Sequence, residues 1–346
     1  MSVKFICLVV PALLLVGGMC SSAHAQHLKN GNFNANPPTQ SWTVDPPNLK
    51  TADGVTGKCI WLNHSGQANH DPSVSQDMTN LKVGSRYVVL GQYKVGADAY
   101  AHAKPGDKML AIDIDGVTMT TLVAPSDKKD PTKLAGSTWL EFGVTFTATK
   151  TQHMLRLRGE IEGKDADVYI DNVSVTVVPD TIKNGNFDKA GKTATSAESW
   201  TFENIDEKFG GYKTEKLKDG KTNGYIWINF VGKDKDPAVK QTLSGLKVGA
   251  TYTVSCQYRT GWDAQWKKEI KPGTPLLTID IDGAEKNRAF AASAKGDPNK
   301  TDRESWNSLT ARFTATKAQH ELRIRAEIDG MDGDADVDNV SVVESK

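Results

Sequence analysis

The sequence has few cysteines and no surplus of charge of either sign. Four of its 346 residues are cysteine, and Cys7 and Cys20 lie within the first 25 residues. Cys59 and Cys256 do not occupy matching positions in the two copies of an internal repeat, so we predict two buried thiols instead of a repeated disulfide framework. Lys and Arg together number 42, as do Asp and Glu, which gives no net field to attract nucleic acid or an anionic membrane.

Long apolar runs are lacking beyond the N-terminus. Lys4 precedes an apolar stretch over residues 5–16, and small residues then lead to Ala23-His24-Ala25. This pattern predicts a signal peptide over residues 1–25, since the apolar run is short for a membrane span. Lipidation at Cys20 is disfavoured because the bulky Met19 precedes it. We therefore expect cleavage near Ala25 and a secreted protein, extracellular or periplasmic, without membrane insertion.

The rest of the chain consists of an internal repeat. The matching pairs, in an order that never changes, are 29–33 with 183–187, 60–63 with 226–229, 81–84 with 246–249, 112–116 with 279–283, 146–149 with 313–316 and 171–175 with 338–342. We predict two domains, over residues 27–178 and 183–346, joined by a short linker at 179–182. Each has about 150 residues, a common size for a single core.

Hydrophobic residues alternate with polar ones within these segments. Tyr252, Val254 and Cys256, for example, alternate with Thr253 and Ser255. A period of two with Gly-rich turns predicts antiparallel strands that have one dry face and one polar face. We predict an all-β fold of two tandem antiparallel β-sandwich (jelly-roll) domains.

The predicted polar faces carry side chains suited to binding sugar hydroxyls. In copy one they are Gln92, Asp113, Arg156 and Arg158, and in copy two Gln257, Asp280, Arg323 and Arg325. Planar, multidentate donors and acceptors of this kind suit a carbohydrate. The alternative is a cross-strand ladder of salt bridges, worth at most about 1 kcal/mol per pair.

Aromatic residues favour the carbohydrate interpretation. Trp61 and Trp227 alternate with aliphatic residues, so we expect both to point onto the same face as the Arg and Asp positions, forming a shallow trough. A variable loop adds Tyr100 in copy one and Trp262 and Trp266 in copy two. That loop could instead pack on its own domain or contact the other copy. Four tryptophans at strand entrances are assigned to the core: Trp42, Trp139, Trp200 and Trp306.

Several short sequence motifs occur in both copies in the same order. They are Asn-Gly-Asn-Phe, a following Trp, Leu-Lys-Val-Gly-x-x-Tyr, Trp with Phe-Thr-Ala, and Asp-Asn-Val-Ser-Val. With them the chain resembles carbohydrate-binding modules of families 4 and 9, which have the galactose-binding-like jelly roll. The resemblance implies a non-catalytic module that binds a polysaccharide or glycan. It also implies a structural Ca²⁺ held by Asn34 and Asp171 in copy one and by Asp188 and Asp338 in copy two. The alternative for these residues is hydrogen bonding at turns and strand ends.

Two other functions stay open at this stage. Carboxylates such as Glu160 and Asp113 suggest a glycosidase, but they recur in both copies and would require two active sites. A structural or adhesive protein that binds a cell-surface protein through the same face is the stronger alternative. Copy two has more aromatic residues, so we predict that it binds glycan more tightly.

Overall fold

The computed structural model describes most of the chain after residue 26. The described residues are 27–45, 49–64, 71–96, 103–125, 138–160, 166–179, 181–193, 196–205, 210–217, 220, 222–229, 236–261, 270–294, 297–327 and 334–345. The predicted signal peptide lies outside them. Within the described residues, no helix is long and apolar enough to span a membrane.

Copy one contributes ten strands. They are β1 (Thr43–Asp45), β2 (Lys50–Asp53), β3 (Lys58–His64), β4 (Ser73–Met78), β5 (Arg86–Val95), β6 (Lys108–Ile114), β7 (Val117–Val123), β8 (Leu140–Thr147), β9 (His153–Gly159) and β10 (Ala166–Val177). Copy two contributes twelve. They are β11 (Thr201–Glu203), β12 (Gly211–Lys216), β13 (Thr222–Asn229), β14 (Ala238–Ser244), β15 (Thr251–Thr260), β16 (Pro275–Ile281), β17 (Ala284–Phe290), β18 (Ser293–Ala294), β19 (Asp297–Thr301), β20 (Asn307–Thr314), β21 (Gln319–Ala326) and β22 (Asp334–Glu344).

Each copy is a sandwich of two five-stranded sheets. One sheet has the order β1-β4-β9-β6-β7 in copy one and β11-β14-β21-β16-β17 in copy two. We call it the arginine sheet because it carries the paired arginines 156/158 and 323/325. The other has the order β2-β3-β10-β5-β8 or β12-β13-β22-β15-β20 and is called the tryptophan sheet, since it carries Trp61 or Trp227. The arginine sheet of copy one and the tryptophan sheet of copy two are continuous through β7 and β20 and together form a ten-stranded sheet, and β18 and β19 form a separate two-stranded sheet. The predicted all-β, tandem-sandwich fold is confirmed.

The cores lie between the two sheets of each copy. In copy one, Ile60 and Leu62 of β3 pack with Leu155 and Leu157 of β9, and all four are fully buried. Trp42 and Trp200 are also buried, so their assignment to the core is confirmed. Cys59 and Cys256 are buried free thiols, as predicted. Burial raises the pKa of Cys59 to about 11 and that of Cys256 to about 12, so both thiols stay protonated at neutral pH.

The edge strand β8 of copy one lies on the tryptophan sheet of copy two. Gly143 donates its N–H to Ser308 Oγ at 3.1 Å, and the Ser308 hydroxyl donates to the Gly143 carbonyl at 2.6 Å. The Thr310 hydroxyl donates to the Glu141 carbonyl at 2.9 Å. A parallel pairing of Thr121 in β7 with Asn307 in β20 also joins the copies. Small hydroxyl side chains of copy two thus satisfy backbone groups of an edge strand that would otherwise be unpaired.

Candidate functional site

The expected trough, with tryptophans beside the Arg and Asp positions, is not present. Trp61 and Trp227 lie on the tryptophan sheets, whereas Asp113, Asp280 and the paired arginines lie on the arginine sheets. Because the two sheets of a sandwich pack through their inner faces, their outer faces point in opposite directions. The prediction of a single shared face is therefore wrong.

The arginine sheet of copy one carries a salt-bridge ladder. Asp113 is only 3% exposed, and it accepts hydrogen bonds from the Thr118 hydroxyl at 2.7 Å and from Arg158 Nε at 3.2 Å. Arg158 also pairs with Asp71 at 3.0 Å and with Glu160 at 2.6 Å. Arg156 Nε donates to Ser73 Oγ at 3.0 Å. The charges on this face neutralise one another.

The arginine sheet of copy two repeats the ladder. Asp280 is 2% exposed and pairs with Arg325 Nε at 2.8 Å and Arg323 Nη1 at 3.3 Å. Arg323 also reaches Glu203 at 2.8 Å, and Arg325 reaches Asp236 at 3.1 Å. Neither Asp280 nor Asp113 lies on an open floor, which corrects that expectation and favours the ladder.

The two glutamines predicted for the sugar face have different surroundings. Gln257 is 4% exposed because copy one covers it: its amide donates to the Met119 carbonyl, and its oxygen accepts from Asn339 at 2.6 Å. The expectation of an open Gln257 is therefore wrong. Gln92 is half-buried, accepts from Asn172 at 2.8 Å and lines a groove of about 1210 Å³ between the copies.

The tryptophan sheet of copy one presents a continuous cross-strand row of five side chains. In the strand register Lys50 is opposite Trp61, Trp61 is opposite Tyr169, and Tyr169 is opposite Lys94. Lys94 also lies 5.3 Å from the ring centre of Trp139, just before β8. Trp61 and Tyr169 stack with their ring centres 5.7 Å apart. The other four members of the row, Trp61, Tyr169, Lys94 and Trp139, are half-buried, so their aromatic rings form an accessible shelf. We call these residues the row of copy one.

Copy two has a corresponding row with different chemistry at its centre. Gly211 is opposite Trp227, Trp227 is opposite Asp336, and Asp336 is opposite Arg259. The Arg259 guanidinium lies 4.5 Å from the Trp306 ring centre and 5.0 Å from that of Tyr225. Lys213 Nζ lies 4.9 Å from the Trp227 ring centre. The planar Arg259 guanidinium thus lies against the rings of Trp306 and Tyr225, where copy one has the ammonium group of Lys94.

Arg259 is held by two carboxylates. Its Nε is 2.7 Å from Asp336 and its Nη1 is 3.0 Å from Glu215. Burial raises the pKa of Asp336 to about 6, although Arg259 opposes that rise. The row of copy two therefore combines flat rings with a fixed, planar set of donors and acceptors.

Several members of these rows were missed or misplaced by the sequence prediction. Trp139 and Trp306 are half-buried members of the rows, so their assignment to the core is wrong. Lys94 and Arg259 follow the repeated tyrosines 93 and 258, a signal that could have placed them on the outer face. Three predicted site residues lie outside the described residues: Tyr100, Trp262 and Trp266.

The predicted calcium ligands differ between the copies. In copy one, Asp171 is fully buried and accepts N–H hydrogen bonds from Val55 and Asn172, each at 2.7 Å. Asn34 accepts from the Lys58 N–H at 2.9 Å. These bonds hold the turn over residues 54–58, so turn stabilisation accounts for the residues of copy one.

In copy two, two carboxylates lie near one another. Burial raises the pKa of Asp338 well above its usual range, and the nearby Asp188 raises it further. Burial also raises the pKa of Asp188, whereas Arg86 of copy one lowers it. Asn223 Nδ2 is 3.0 Å from Asp338. No group of three or more His, Cys, Asp or Glu suited to a metal occurs among the described residues. Asp338 is buried whereas Asp188 is exposed, and the calcium site that the resemblance implies for copy two stays a prediction.

No protein-family model and no curated protein matches the chain. Solved structures similar to it include the N-terminal tandem of two CBM22 domains from a Paenibacillus barcinonensis protein, at 14% identity and a TM-score of 0.30, over 94% of this chain and 100% of that chain. Tandem CBM51 modules of a family 98 glycoside hydrolase from Streptococcus pneumoniae match at 14% identity and a TM-score of 0.25, over 93% and 97%. A cyclase from Fischerella sp. TAU matches at 16% identity and a TM-score of 0.32, over 49% and 96%. Tandem carbohydrate-binding modules are thus among the structures similar to this chain.

Proposed function

We propose that this chain is a secreted, non-catalytic protein that binds carbohydrate through the rows on its two tryptophan sheets. The observation that carries the proposal is the repetition of the row: Trp61 and Trp139 in copy one have the register positions of Trp227 and Trp306 in copy two. In each copy the two tryptophans are separated by roughly 14 Å, three strand spacings of ~4.8 Å.

The chemistry of the rows suits a sugar chain. A pyranose ring presents apolar C–H groups on its faces, and flat aromatic rings such as Trp61 and Trp227 pack against such surfaces. Hydroxyl groups need planar, multidentate partners, which the partly exposed Arg259 and Glu215 provide beside the rings of copy two, while the buried Asp336 fixes the Arg259 guanidinium. Trp306 completes this arrangement from the far side of Arg259.

The proposal is tested by measuring the affinity of the mature chain for a panel of immobilised polysaccharides. We expect Trp227→Ala and Trp61→Ala to weaken binding by about five- to thirtyfold each, the loss of 1–2 kcal/mol that buried aromatic anchors give. The matched control is Val248→Ala, because Val248 is exposed at a loop away from both rows. Each variant is accepted only if its near-UV circular dichroism matches that of the parent.

Three outcomes would reject parts of the proposal. Full binding by the double variant Trp61→Ala/Trp227→Ala would exclude the rows as the glycan site. Release of reducing ends from a bound polysaccharide would show an enzyme instead of a binding protein. Binding of a cell-surface protein that is lost in both tryptophan variants, together with no glycan binding, would favour the adhesive alternative.

A further inference from the structure

We propose that the two rows select different ligands, and that the row of copy one binds acidic, uronic-acid-containing polysaccharide. This inference rests on the proposed function, because it assigns a ligand class to one of the two proposed sites. It arises from a single difference at the centre of the rows, where copy one has Tyr169 and copy two has Asp336.

The cations of copy one face rings instead of carboxylates. Lys94 Nζ lies 4.9 Å from the ring centre of Tyr169 and 5.3 Å from that of Trp139. Lys50 Nζ lies 5.0 Å from the ring centre of Trp61. Among the described residues, no carboxylate forms an ion pair with either ammonium group. Both cations can therefore pair with an anion supplied by a ligand.

The equivalent cation of copy two already has its counter-ions. Arg259 has the position of Lys94, and it bonds Asp336 at 2.7 Å and Glu215 at 3.0 Å. A ligand carboxylate would have to displace Asp336 or Glu215 from Arg259, or approach Arg259 against the negative charge of these two carboxylates. The row of copy two therefore suits a neutral sugar, whose hydroxyls can bond Glu215, the partly exposed partner of Arg259.

Other charged residues near the rows do not reverse this difference. Glu141 lies beside Gln92 in the register but pairs with Arg312 of copy two at 2.5 Å. An aspartate occurs at the same register position in both copies, Asp167 opposite Asn63 and Asp334 opposite Asn229. Because this aspartate is common to both, it does not distinguish them.

Uronic acid polymers fit the row of copy one better than other anions do. Each sugar ring has an apolar face for Trp61 or Tyr169 and a carboxylate within reach of an ammonium group. One sugar unit of the ligand then packs against an aromatic ring and pairs its carboxylate with a lysine. A small inorganic anion would use the lysines but leave the aromatic shelf without a partner.

The experiment compares uronic acid polymers with their methyl esters, which keep the backbone and lose the charge. We expect the full-length mature chain to bind at least one uronate polymer, such as polygalacturonate or alginate, more tightly than its ester at low salt. The preference should shrink in 0.5 M NaCl because salt screens the ion pairs. Lys94→Gln should weaken binding of the acidic form three- to tenfold and leave binding of the ester unchanged.

A swap between the copies gives the sharpest test. Tyr169→Asp places the residue of copy two beside Lys94, so we expect the preference for the acidic form to be lost, whereas Tyr169→Phe should retain it. Lys82→Gln is the matched control, since it removes an exposed lysine away from the row. The inference is overturned if no uronate polymer binds better than its ester, or if Lys94→Gln and Tyr169→Asp leave the preference intact. In either case, binding of a neutral glycan that depends on Trp61 or Trp227 would leave the proposed function standing.

Discussion

Asp336 is the residue where burial and ion pairing oppose each other within the row of copy two. Its side chain is almost entirely buried, and its pKa is raised from 3.8 to about 6. The folded state therefore holds the proton more tightly than the unfolded state between about pH 4 and pH 6. The stability contributed by the protonated carboxyl is complete below pH 4 and is lost as the pH rises through 6.

We expect the free energy of unfolding to fall by up to about 3 kcal/mol between pH 4 and pH 7 because Asp336 loses its proton. This figure follows from its pKa being higher by about two in the folded state, with about 1.4 kcal/mol for each pH unit. Asp336→Asn should remove that part of the pH dependence. Urea unfolding of the parent and the variant, repeated at steps of half a pH unit, measures this contribution. A difference in the free energy of unfolding between the two proteins that stays constant with pH would contradict the raised pKa of Asp336.

Asp338 and Asp188 give a second prediction at the scale of single residues. If their carboxylates hold Ca²⁺, millimolar calcium should raise the melting temperature of the chain by a few degrees, through binding to the folded state alone. Asp338→Asn should abolish that shift, whereas Asp171→Asn in copy one should leave the shift unchanged. NaCl of equal ionic strength is the control for screening. A melting temperature that does not respond to calcium would contradict a calcium site at these carboxylates.

At the scale of strands, alternation placed side chains correctly as inward or outward. Ile60 and Leu62 are buried, and Trp61 between them is half-buried on the outer face. Alternation does not say which sheet a strand joins, because some successive strands, such as β6 and β7, stay in one sheet whereas others, such as β3 and β4, lie in different sheets. For that reason the outward Trp61 and the outward Arg156 could be predicted, but their separation onto opposite faces could not.

Two other errors also have causes beyond a single strand. Trp139 was assigned to the core because it stands at a strand entrance, yet its position opposite Lys94 places it on the outer shelf. Gln257 was expected to be open because Gln92 and Gln257 are equivalent in sequence. Only the packing of copy one on copy two makes their surroundings differ. Repeats predict equivalent folds, but contacts between the copies break the equivalence of their surfaces.

At the scale of the whole molecule, β8 joins the copies through a position that has no room for a side chain. A Cβ atom on Gly143 would lie 2.7 Å from the Ser255 Cβ of copy two. The same glycine exchanges two hydrogen bonds with Ser308. These contacts predict that the copies form one rigid unit and that the spacing between their rows is fixed.

Gly143→Val should separate the copies, because the added methyl groups force β8 away from Ser255 at a cost of about 1–3 kcal/mol. We expect the radius of gyration measured by small-angle X-ray scattering to increase and thermal unfolding to split into two transitions. Val83→Ala, at an exposed position of copy one, is the control and should leave both measurements unchanged. A folded Gly143→Val variant with the parent's radius of gyration and a single transition would mean that β8 does not hold the copies together. If the copies do separate, binding of polysaccharides that engage both rows should weaken, since the second contact then loses its high effective concentration.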